Sequence, residues 1–330
     1  GTGEIQLRSG HLGAATGNSI TIGNDIKLTG HDGGFARDGD LTVGGRINTG
    51  NHPSYLVLDN TGLVTVSGGI GNFDTADIGI LYFRGAGDLA VATPGTRHNA
   101  SIYWNSLGTL TFTGPQQIAG DFIGNDGSIM LNGDQMVGGD LVVSGSSMTI
   151  NGTQRVDGTV SISAGVSTIN GGTLISAGRV TVQSTGHAML NGTQVIAPTV
   201  QLDPGASLSG HGTITGKVTT SAGSIITADG GTLTLGDAGQ FAAFNHQGEL
   251  HVGAAAVALK TKGFASLGPL TTLTGGTLSA DNGIVIGPGS SVLGSGSVEA
   301  KISSGFGSTI EASGDLALGD ANSYDGFYSD

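Results

Sequence analysis

Cysteine is absent from this 330-residue chain, which excludes disulfides, thiolate metal sites and cysteine nucleophiles and leaves the compartment open. Charge is scarce as well. Only 11% of residues are charged, and 12 bases against 25 acids leave a net charge of −13. The bases never cluster, so the electrostatic footprint of a nucleic-acid binder is missing, and an anionic membrane surface would repel the chain. No run approaches about 18 consecutive apolar residues, so no membrane insertion by this segment is expected. Aromatic residues are few, with Trp104 the single tryptophan. The chain opens at Gly1-Thr2-Gly3 without a signal peptide or initiator methionine, and reads as a mature or excised piece.

Glycine is what the chain has in abundance, at 63 residues. It shows no three-residue period and sits among plentiful valine, isoleucine and leucine, which rules out collagen and argues against a disordered linker. One phrase returns four times, as Leu131-Asn132-Gly133, Ile150-Asn151-Gly152, Ile169-Asn170-Gly171 and Leu190-Asn191-Gly192. The spacing is almost constant, and a period of about 20 residues in a glycine-rich, β-branched chain marks a solenoid. Apolar slots recur between these phrases, at Val137, Val156, Ile175 and Ile196, then at Leu141, Val160, Val180 and Val200. Alternation such as Val160 and Ile162 is the period of a strand with one buried face. Asn-Gly reads as a corner, because both residues tolerate positive φ. The pattern predicts an all-β fold, a single-stranded parallel β-helix of about 19–25 residues per coil and about 13–17 coils, with a right-handed path.

The frame extends to Phe112-Thr113-Gly114 on one side and Leu208-Ser209-Gly210 on the other, covering Gly108 to Gly223. Residues 108–330 are expected to form the regular part of the helix. Residues 1–107 are expected to form a less regular part with longer loops, such as 30–38 and 92–99. A longer repeat, about four coils in length, overlays the first: Gly231 to Ala238 returns as Gly314 to Ala321, and Phe244 as Phe327. The second copy stops at Asp330 in mid-phrase, so the parent protein or repeat array is expected to continue.

Candidate chemistry is sparse. The column Asn132, Asn151, Asn170 and Asn191 reads as a structural amide ladder, each side chain bonding its neighbour one coil away, in preference to an outward array matching a repeating ligand. No cofactor is expected. Asp320, Asn322 and Asp325, with Asp330 nearby, offer hard oxygens that suit calcium, and Asp32, Asp38 and Asp40 form a looser group. Turn-forming aspartates in solvent are the simpler reading of both. The four glutamates Glu4, Glu249, Glu299 and Glu311 are scattered, and the histidines show no ligand-type spacing, so no catalytic residues are assigned and no enzyme is expected. A regular Thr-x-Thr column of the ice-binding kind is not visible. The sequons at Asn99, Asn151 and Asn191 read as chance, since two coincide with the structural column. The aromatic region around Tyr82, Phe83, Tyr103 and Trp104 reads as core, against an alternative in which it docks a carbohydrate.

The phrases Leu270 to Leu278 and Gly307 to Ala321 resemble repeats of large exported bacterial surface proteins, the autotransporter-associated and filamentous-haemagglutinin-like β-helical proteins. The resemblance spans about 109–330. It implies a parallel β-helix at the cell surface or outside the cell, acting as a rod-like stalk, fibre subunit or adhesin. Expected partners are further copies joined end to end, or the rest of a longer fibre, together with surface glycans. The alternative is a carbohydrate-binding β-helix module or a phage-tailspike-like polysaccharide-processing protein.

Overall fold

The computed structural model describes residues 3–30, 33–50, 53–92, 94–319 and 327–329. The described residues form strands, turns and bends with no helix. The chain divides into two compact units, Gly1–Ser161 and Ile162–Asp330. Each is a parallel β-solenoid.

In the first unit every turn of the coil carries three short strands. One turn reads Phe122–Gly124, Ser128–Asn132 and Gln135–Val137. The next strand, Leu141–Ser144, lies directly on the first, pairing Phe122 with Leu141 in parallel. Seven such triplets run from His11–Leu12 to Gln154–Val156. Three faces result, and each carries inward columns. On the second face Leu41, Val64, Leu89, Leu110, Ile129 and Met148 stack in register, all buried. The columns form because side chains alternate in and out with period two, and a one-residue slip would carry every apolar group to the wet side.

The third face holds a break. Ile5, Ile26 and Ile47 each donate the backbone N–H to a carbonyl one turn ahead, those of Asp25, Arg46 and Gly69, at 2.7–2.9 Å. Ile70 is next in that column, but its N–H donates instead to Nδ1 of His98 at 3.2 Å. The imidazole thus replaces a backbone acceptor where one ladder of strands ends and the next begins.

The second unit makes eight turns, and many of its strands bend around a corner without ending. Gly186–Leu202 is 17 residues long and Ser207–Thr220 is 14. The bends rely on glycine. A Cβ on Gly210 would lie 2.0 Å from the Leu190 carbonyl oxygen, and one on Gly294 would lie 1.9 Å from that of Leu273, with φ at 102° and 125°. Only a residue without a side chain lets successive turns approach so closely there.

Three details differ from the sequence reading. First, the corner asparagines stay in strand conformation and their glycines alone take positive φ, at 117° for Gly133 and 125° for Gly152. Second, Leu208 lies over Ala188 and Gly210 over Leu190, out of the expected frame, because the glycine bend tightens that turn. Third, Ile175 and Ile196 face outward and are half-buried, while Leu174 and Val195 fill the core. Turn length also varies within the second unit. The turn that sets Leu208 against Ile226 is short, and the one that sets Val218 against Phe244 is long.

Candidate functional site

Strand alternation sorts the aromatic residues. Phe83 and Trp104 point inward, pack against each other at a tilt with centroids 5.6 Å apart, and are 1% and 0% exposed. Tyr82 and Tyr103 lie on the same strands one residue earlier and face outward. Tyr55 joins them from the turn below, since its strand pairs Tyr55 with Tyr82 and the next pairs Tyr82 with Tyr103. The three rings form a half-buried ladder, with centroid spacings of 4.9 and 4.5 Å and interplanar angles of 18° and 30°. The guanidinium carbon of Arg84 lies 3.8 Å from the Tyr55 ring centroid, a cation–π contact. Asn125 donates from Nδ2 to Oδ1 of Asn105 at 2.6 Å on the same face. Partial burial and the neighbouring Tyr82 and Asp121 raise the pKa of Tyr103 above the usual phenol value, so the hydroxyl is protonated at neutral pH. Sequence reading grouped Tyr82 and Tyr103 with Phe83 and Trp104. It missed Tyr55, because the turn that carries Tyr55 to Tyr82 is longer than the period and hides the column.

The asparagine column carries side-chain bonds from turn to turn. Asn151 donates from Nδ2 to Oδ1 of Asn132, and Asn191 donates likewise to Asn170, both at 2.7 Å. A second amide column lies in the core. Gln116, Gln135 and Gln154 stack in register, are 1–3% exposed, and donate from Nε2 to the carbonyls of Thr113, Gly114 and Gly133 at 2.9–3.1 Å. The even spacing of these glutamines was visible in the sequence. His98, one turn earlier and in the neighbouring column of Ile118, reaches across to Gln116. Its Nδ1 accepts from Ile70, so Nε2 carries the proton and donates to Oε1 of Gln116 at 2.9 Å. Burial pushes the imidazole down to about 4, with the Gln116 bond opposing. In the second unit burial does the same to His246, also to about 4, where Nδ1 lies 2.8 Å from the Thr220 hydroxyl oxygen.

The aspartates of the first unit have a shared task that composition alone did not show. Asp25, Asp40, Asp88, Asp121, Asp134 and Asp140 each accept a backbone N–H from the following turn, at 2.7–2.9 Å. Asp38 accepts the hydroxyls of Thr16 and Thr61, both at 2.9 Å, and these bonds hold its carboxyl below the usual range. The calcium candidates Asp320, Asn322 and Asp325, with Asp330 and Asp32, lie outside the described residues. Among the described residues no group of three or more His, Asp or Glu side chains is placed to hold a metal ion. Among the described residues the glutamates stay apart, and Glu249 Oε2 lies 3.2 Å from His251 Nε2 in a part-buried contact.

The tyrosine ladder lies over a core already filled by Leu56, Phe83 and Trp104. Comparison of the chain with family models, with curated proteins and with solved structures finds no match.

Proposed function

We propose that this β-helical repeat chain is a non-catalytic structural segment of an extracellular bacterial surface protein, a stalk, fibre element or adhesin of the autotransporter-associated or filamentous-haemagglutinin-like kind. The observation that carries this reading is the self-templating of each unit. Among the described residues each interior turn pairs with the turns before and after it, through backbone ladders and through like-on-like side-chain columns. Such a body gains length by adding turns, each stabilised mainly by its neighbours. A spacer or fibre needs that property, whereas catalysis needs unlike groups brought to one place.

Association along the same direction, with the rest of a longer fibre or with further copies joined end to end, belongs to the same proposal. The test is an antibody against the chain, applied to intact and to permeabilised source cells, with negative-stain microscopy of the purified protein. Labelling of intact cells and elongated particles are expected. Labelling only after permeabilisation, or compact round particles, would overturn the proposal.

A further inference from the structure

We propose that the outward face built on Tyr55, Tyr82 and Tyr103 binds a neutral, linear polysaccharide laid across successive turns. The backbone fixes one ring per turn, at the roughly 4.8 Å spacing of paired strands, so the face presents a phenol hydroxyl at regular intervals. Because the rings stack on one another, the row turns outward a rigid ridge of ring edges and phenol hydroxyls, which suits a ligand rich in hydroxyls. Beside the row stand planar donors already held in place. The Arg84 guanidinium is laid against Tyr55, and the Asn105 and Asn125 amides are bonded to each other. In the next two turns Ile123 and Val142 continue the tyrosine column, half-buried, so the strip crosses five turns. A row that repeats one ring over three turns and continues as an apolar strip over two more matches a repeating polymer better than a single small molecule, which favours an enclosing cleft.

Charge selects among polymers. The chain carries −13, and Asp59 and Asp121 flank the row against the one guanidinium of Arg84, so a polyanion is repelled and a neutral chain is not. This inference is independent of where the protein resides, and its failure would leave the structural reading intact.

The experiment is affinity electrophoresis and titration calorimetry of the full chain. The probes are soluble neutral polysaccharides (xyloglucan, mixed-linkage β-glucan, galactomannan, dextran) beside the acidic alginate and polygalacturonate. Binding to at least one neutral polymer is expected. It should weaken at least tenfold in Tyr82→Ala and in Tyr103→Ala, and by less in Tyr82→Phe, which keeps the ring. Thr111→Ala, an outward change on another face, should leave affinity unchanged. Melting curves accompany each variant, and if an alanine variant fails to fold, Tyr82→Phe and Arg84→Ala carry the comparison. Failure of every neutral polymer to bind, binding of the acidic polymers alone, or affinity indifferent to these substitutions would each overturn the proposal.

Discussion

The two units share close glycine contacts, as at Gly68 in the first and Gly294 in the second, and differ in how far side chains or continuous strands serve the corners. Both must satisfy backbone groups where the chain leaves one face for the next. In the first unit side chains do it: six aspartates accept N–H groups from the turn ahead, glutamines donate to corner carbonyls, and His98 stands in for a missing carbonyl. In the second unit strands such as Ser207–Thr220 run through the corner, and glycine lets backbone meet backbone directly. The acidic excess is thus partly architectural, while the glycine excess is partly a matter of clearance. The lesson is that one fold mixes two corner devices in different proportions, and that each device leaves its own weak points.

Substitutions should expose those weak points in order of size. Gly294→Val in the second unit faces both a carbonyl oxygen 1.9 Å from the new Cβ and a φ of 125°. A loss of about 3–5 kcal/mol is expected, seen as a large fall in the urea midpoint. An unchanged midpoint would remove the clearance argument.

Acid should come next, and it should strike both units. Each buried histidine titrates near 4, against an ordinary value of 6.5 when unfolded. Between pH 6.5 and 4 the unfolded chain therefore binds more protons. Stability is full above that window and falls through it as pH drops, by about 3 kcal/mol per histidine. In the first unit the added proton would also oppose the Ile70 N–H, since Nδ1 is its acceptor. Urea titrations across this range check this, and a flat profile would contradict it.

Asp140→Ala removes the acceptor of the Thr159 N–H and should cost about 1 kcal/mol, with Asp140→Asn costing less because its amide oxygen can still accept. The same measurement on Asp203→Ala in the second unit should give a smaller change, because the Asp203 carboxylate accepts from the side chain of Gln201, two residues before it, and not from the backbone of another turn. Equal effects would erase the contrast between the units. Smallest is Asn151→Ala, which breaks the bond to Asn132 and should lower stability by about 0.5–1 kcal/mol in thermal melts. No change there would show that the asparagine column contributes nothing net.

The architecture was legible because it is written in repetition. The Asn-Gly phrase set the period, and alternation such as Val160 and Ile162 set the buried face. What escaped was whatever breaks the period. The offset at Leu208 comes from a bend that needs only glycine, a residue too common here to signal anything. Ile175 and Ile196 are as apolar as their neighbours Leu174 and Val195, and composition cannot say which of two adjacent apolar groups turns inward. Tyr55 was hidden because the turn beneath Tyr82 is longer. Gln116, Gln135 and Gln154 were legible in spacing, but a glutamine column in a core runs against expectation for polar groups until its carbonyl partners are seen.

The strict register of the first unit, in which Asn132 meets Asn151 and Gln135 meets Gln154, has a consequence for how such a chain can change. Excising one whole period, for example the stretch 133–151, would rejoin like with like. Asn132 would be followed by the phrase that now follows Asn151, and each column would close over the gap. A cut shorter or longer by a single residue would turn every later side chain in that strand to the opposite side. Gene segments of one period are therefore the quanta by which such a chain can gain or lose length through unequal recombination.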